Sequence, residues 1–138
     1  IITSSANTSG KEFDNLYKEW TGYIPKHKEI SHNLYYVGAQ DSETDEWIGI
    51  AQLIIVDDPA WDRRWGLVEN VFVRSNCRGQ GIGKALMRFI EEEAYLFGCQ
   101  FIKLTSGDDK SAGQALYRSL GDEEGASFKK DIHPKQLV

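Results

Sequence analysis

The stretch that most limits how this chain can fold is Arg78-Gly79-Gln80-Gly81-Ile82-Gly83-Lys84, set between Val71-Phe72-Val73 and a long amphipathic run. Glycine at every second position suits a turn whose backbone N–H groups converge on one small space. Glycine accepts positive φ and lets a ligand approach the main chain closely. From Ile82 to Phe97, the residues Ile82, Ala85, Leu86, Phe89, Ile90, Leu96 and Phe97 recur at helical spacing, with Arg88 and Glu91 to Glu93 largely elsewhere. The order is therefore strand, turn, helix. A helix opened by such a turn offers unpaired N–H donors and the positive end of its dipole, which suits an anion, most naturally phosphate. Arg78 and Lys84 add positive charge on either side.

Several readings of this turn compete. A Walker A loop requires Ser or Thr after its lysine, and Lys84 is followed by Ala85, so the magnesium-binding hydroxyl is missing. A dinucleotide fingerprint requires G-x-G-x-x-G, and the spacing here is G-x-G-x-G, with no acidic residue closing a second strand at the right interval. A glycine-rich helix start with no ligand is the remaining reading.

The surroundings favour a fourth. Val71-Phe72-Val73, a short linker and then Arg78-x-x-Gly81-x-Gly83 resemble the acetyl-coenzyme A signature of the GNAT family of N-acetyltransferases, R/Q-x-x-G-x-G/A after a strand. Ala115-Leu116-Tyr117-Arg118-Ser119-Leu120-Gly121 resembles that family's second signature, a helix carrying a tyrosine and ending in glycine. The resemblance covers roughly Trp47 to Lys130. It implies a mixed, mostly antiparallel central α/β sheet flanked by helices, and acetyl-coenzyme A as co-substrate.

Bulk properties agree with one N-acetyltransferase domain over residues 1–138, large enough for a real core. No apolar run approaches a membrane span, and no signal-peptide pattern is present, which points to the cytoplasm. The chain starts without methionine, so Ile1 to Gly10 reads as a clipped strand plus loop or as a flexible end. Cys77 and Cys99 read as free thiols in a reducing compartment. Neither they nor His27 and His32 have metal-ligand spacing, and no metal is implied. A net charge of −5 argues against nucleic-acid binding and is compatible with a cationic acceptor.

Along the chain, Ser9 can cap a helix through Trp20 on which Phe13, Leu16, Tyr17 and Trp20 share a face. Thr21 to Lys28 reads as a loop. Strands are expected at Leu34 to Ala39, at Trp47 to Val56 and at Trp65 to Val73, the last two forming a hairpin with a long acidic-aromatic loop. Trp47 to Val56 is nearly continuous in apolar residues, as for a strand covered on both faces. Gln100 to Thr105 is a further strand, Ser111 to Leu120 a short helix ended by Gly121, and Ala126 to Ile132 a last strand.

Acetyl transfer to an amine requires that the cofactor be held, the carbonyl polarised, the amine deprotonated and the leaving thiolate protonated. The resemblance implies that Arg78, Gly79, Gln80, Gly81, Ile82, Gly83 and Lys84 cradle the pyrophosphate. It implies that Val71-Phe72-Val73 splays from its neighbour, pairs with the pantetheine arm and polarises the thioester oxygen through one N–H; a plain core strand is compatible with this. Tyr117 falls where the family's tyrosine protonates the departing sulfur, or is an amphipathic helix tyrosine. Glu69 shares a face by alternation with Leu67, Val71 and Val73, and the resemblance implies that an acidic residue near this position accepts the amine proton, often through water. Its other reading is a carboxylate tied to neighbouring backbone or an arginine. Asp122 and Lys110 depart from the family's aromatic residue and asparagine.

For the acceptor, Asp57, Asp58, Trp61, Asp62 and Trp65 could line a site for a small cationic amine, or form a solvated loop with both tryptophans packed inward. A protein lysine or N-terminus is the alternative acceptor. A module that binds coenzyme A without turnover is the alternative class, and a nucleotide-hydrolysing enzyme a more distant one. Many family members pair, which leaves a homodimer open.

Overall fold

The computed structural model describes residues 3–7, 10–23 and 33–104. They form a five-stranded sheet in the order β1-β2-β3-β4-β5, made of Thr3–Asn7, Leu34–Asp41, Trp47–Asp58, Arg63–Val73 and Phe101–Leu104. All neighbours are antiparallel except β4 and β5. That pair needs a crossover, and helix α2 (Ile82–Leu96) supplies it. Helix α1 (Gly10–Thr21) joins β1 to the segment before β2.

Each helix buries one stripe on its own face of the sheet. Leu86, Met87 and Ile90 of α2 meet Val37, Ala39, Ala51, Leu53, Ile55 and Val68. Phe13 and Leu16 of α1 meet Ile50 and Phe72 on the opposite face. The central strand β3 is thus covered on both sides, as its continuous apolar pattern requires. α2 ends with Gly98 at φ 83°, and the Arg64 guanidinium holds the terminal Phe97 carbonyl at 2.8 Å.

Two expectations are corrected at the hairpin. Asp57 and Asp58 belong to β3, where register sets them opposite Arg64 and Arg63. They form ion pairs at 2.6 and 3.0 Å, so these carboxylates are neutralised across the strands. The connection is only a short 3-10 turn, Pro59–Trp61, followed by Asp62 at φ 50°. Trp61 projects outward at 76% exposure, while Trp65 stacks on Phe101. Among the described residues these side chains do not form an acidic-aromatic cage for a cation.

Gly66 sits at a close approach within the sheet. A Cβ added there would meet Leu53 Cδ1 at 2.9 Å and Ile102 Cγ2 at 3.3 Å, both in the α2 core. Gly66→Val is expected to cost about 1–3 kcal/mol by overpacking, seen as a lower urea midpoint with an unchanged slope. The segment 111–132, with its expected helix and strand, lies outside the described residues, and so do most of Thr21 to Lys28, His27, His32, Lys110 and Asp122. No described helix is long and apolar enough to cross a membrane.

Candidate active site

β4 carries a bulge where it meets the candidate site. Ile50 pairs with Phe72 and Gln52 with Glu69, so the single residue Ala51 faces two, Asn70 and Val71. Asn70 takes the left-handed conformation at φ 53°, which asparagine tolerates better than most side chains. Its side-chain N–H donates to Gln52 Oε1 at 2.7 Å, tying the bulge to β3.

The extra residue shifts the alternation and corrects the expected placement of Glu69. Val71 and Val73 turn into the α2 core. Glu69, paired with Gln52, shares the α1 face with Leu67 and Phe72 instead. Tyr36, paired with Gln52 from β2, completes a row Tyr36–Gln52–Glu69 across that face. The Glu69 carboxylate is half-buried and has no hydrogen-bond or ion-pair partner among the described residues. The backbone or arginine tie that would make it structural is therefore not found there.

On its other side β4 pairs with β5, which is described only as far as Leu104. The pairing runs from Trp65 opposite Phe101 to Val68 opposite Leu104. From Glu69 to Val73 the β5-side edge has no strand partner among the described residues. Unpaired main-chain donors and acceptors at a strand edge are a template for an extended ligand.

Directly beyond this edge lies the glycine turn. Gly79 and Gly81 have φ of 79° and 80°, and a Cβ at either would meet nothing within 4 Å, so the turn is open. Gly81 is the N-cap of α2, with no side-chain cap and no acidic residue in the first turn. The helical bonds begin with Ala85 N–H donating to the Gly81 carbonyl at 3.0 Å. The amides of Ile82, Gly83 and Lys84 thus have no acceptor in their own helix. Arg63, Arg64 and Arg74 are engaged by carboxylates, whereas Arg78 and Lys84 have no carboxylate partner among the described residues. Arg78 instead donates from Nε to the Val73 carbonyl at 2.9 Å and lies over the Phe72 ring. Gln80 is exposed at the tip of the turn.

This geometry suits a ligand with an anionic end and an extended polar arm: phosphate at the turn, arm along Val71 to Val73. Tyr117, the expected acid, lies outside the described residues. A thiol nucleophile finds no support, since Cys77 is buried and burial pushes the Cys99 thiol up, with Arg64 pulling the other way. Sequence reasoning missed Asn70 and Gln52. Their signal was a polar residue interrupting each apolar strand, with asparagine the less natural strand former.

On the α1 face, burial first and Asp14 second push the Tyr36 phenol above the ordinary tyrosine range. Such a raised group adds stability below the usual tyrosine value and loses it as pH climbs through the native one. Asp14→Asn is expected to lower the pH at which Tyr36 ionises, read as phenolate absorbance against a Tyr36→Phe blank.

A family profile described as "Acetyltransferase (GNAT) family" matches residues 5–122. The chain belongs to the GNAT acetyltransferase family. It is 34% identical over 82 residues to human (Homo sapiens) N-acetyltransferase 8, covering 59% of this chain and 36% of that one. It is 31% identical over 64 residues to bovine (Bos taurus) thialysine N-epsilon-acetyltransferase, covering 46% of this chain and 38% of that one. The matches thus span little more than a third of either relative's length. Among solved structures, a putative acetyltransferase from Agrobacterium tumefaciens superposes with a TM-score of 0.77 at 20% identity, over 94% of this chain and 99% of that one. That likeness concerns the fold, and the mixed sheet with helices on both faces is the GNAT fold.

Proposed function

We propose that this GNAT chain is an acetyl-coenzyme A-dependent N-acetyltransferase that acetylates the primary amine of a small molecule by direct attack. The observation that carries this reading is the Asn70 bulge, beside which the edge from Glu69 to Val73 has no strand partner among the described residues, next to a start of α2 that has no side-chain cap. The open Gly79 and Gly81 positions, the amides with no acceptor in their own helix, and two cations without carboxylate partners among the described residues fit a diphosphate.

When bound, acetyl-coenzyme A supplies a thioester whose carbonyl carbon accepts the amine. The chain's residues do the rest. Amides of Ile82, Gly83 and Lys84 hold the diphosphate, and Val71 to Val73 hold the arm and polarise the carbonyl oxygen through a main-chain N–H. Glu69 takes a proton from the ammonium form of the amine, so the nitrogen lone pair can form the new C–N bond; the nitrogen's second proton leaves to solvent as the C–S bond breaks. Tyr117 gives its phenolic proton to the departing sulfur and is reprotonated from solvent; a phenol's ordinary pKa of about 10 is suited to a thiolate.

The name of the thialysine enzyme, which is that of an enzyme for a small amine, supports the same acceptor class here. The test is coenzyme A release with thialysine, spermidine, an aminoglycoside, a lysine-containing peptide and a peptide with a free N-terminus. Turnover with one or more of the small amines is expected. Turnover with peptides alone would move the acceptor to proteins, and binding of acetyl-coenzyme A without turnover on any amine would make this a binding module.

A further inference from the structure

The Phe72 ring is held from two sides of the site. Trp20, at the end of α1, stacks on it with centroids 5.1 Å apart and planes within 9° of parallel. The Arg78 guanidinium carbon stands 5.5 Å from the same ring's centroid, while Arg78 Nε donates to the Val73 carbonyl at 2.9 Å. A second tie runs beside the first. Arg74, next after Val73, pairs with Glu19 of α1 at 3.0 Å and with Glu46 at 3.6 Å.

We propose that Trp20 is a positioning residue for the cofactor turn, acting through Phe72 on Arg78, so that α1 sets the affinity of the diphosphate grip. This rests on the reading of Arg78 as a cofactor-binding cation. A guanidinium on an exposed turn would sample many rotamers, and binding would have to order it. The Phe72 face attracts the cation, and the Val73 carbonyl fixes its near nitrogen. That arrangement works only while the ring keeps its orientation. Phe72 is buried at 7% exposure, and Trp20, stacked almost parallel to it, restricts its rotation. The remaining guanidinium N–H groups have no partner among the described residues and are left for an anion.

The test is calorimetric titration of the purified chain with acetyl-coenzyme A, which requires no acceptor. Arg78→Ala is expected to weaken binding about tenfold, as loss of one charge-assisted contact. Trp20→Leu, which removes the ring without touching the turn, is expected to weaken it about two- to fivefold. Trp20→Phe keeps an aromatic partner and restores most of the affinity. In the Arg78→Ala background, Trp20→Leu is expected to cost nothing more, because the two act through one contact.

Unchanged binding in Arg78→Ala would remove the reading of Arg78 itself. Weakened binding in Arg78→Ala with unchanged binding in Trp20→Leu would overturn the role of Trp20 and leave that reading standing. A full additional loss from Trp20→Leu on top of Arg78→Ala would also overturn it, showing that Trp20 acts by general loosening. If Trp20→Leu does not melt cooperatively, Trp20→Met fills the space without a ring and is read the same way.

Discussion

Glu69→Gln is expected to slow acetyl transfer about 10²- to 10⁴-fold while leaving the affinity for acetyl-coenzyme A unchanged, the signature of a lost general base. A structural carboxylate at this position would be engaged, because burying an unpaired charge is costly. Glu69 is half-buried on the α1 face and has no side-chain partner among the described residues. It directly precedes the bulge in β4. Glutamine keeps the shape and removes only the proton acceptor. Single-turnover rates across pH, paired with calorimetry, check the expectation. A pH–rate profile superimposable on that of the unaltered chain would remove Glu69 from the chemistry.

Gly81→Val is expected to weaken acetyl-coenzyme A binding at least about 100-fold. At φ 80° a non-glycine residue costs about 1–2 kcal/mol in the left-handed region, and a β-branched one more. The space around a Cβ there is open, so the penalty is conformational and not a clash. The chain relieves it by rotating the N-cap, which re-aims the amides of Ile82, Gly83 and Lys84. α2 itself, anchored by Leu86, Met87 and Ile90, stays folded, so binding falls far more than thermal stability. Gly81→Asn is the control: asparagine tolerates positive φ, and it should retain most of the affinity. A valine variant that binds as tightly as the unaltered chain would show that the turn does not grip the ligand.

The parts of this fold that sequence made legible are those set by local periodicity. α2 and the apolar strand β3 fall within about two residues of their expected limits, because their side-chain repeat is the direct consequence of which face is buried. β1 was ambiguous for the opposite reason. Thr3–Asn7 is polar and owes its strand conformation to pairing with β2. The misplaced face of Glu69 has a single cause, since one inserted residue reverses alternation and asparagine's φ is not written in a hydrophobic pattern. The hairpin carboxylates were misread because their neutralisation depends on register: Asp57 and Asp58 meet Arg64 and Arg63 only once β3 and β4 are aligned. Trp20 gave the helix face correctly, but its stacking on Phe72 joins residues far apart in the chain. Of the candidate site, the turn and strand were legible as motifs, while the bulge between them was not.

Hydrogen exchange of backbone amides with and without acetyl-coenzyme A tests the central claim most directly. The account predicts slowed exchange at two separate places, among Val71 to Val73 and at Ile82 to Lys84. Binding that leaves both groups of amides exchanging at their free rates would contradict it.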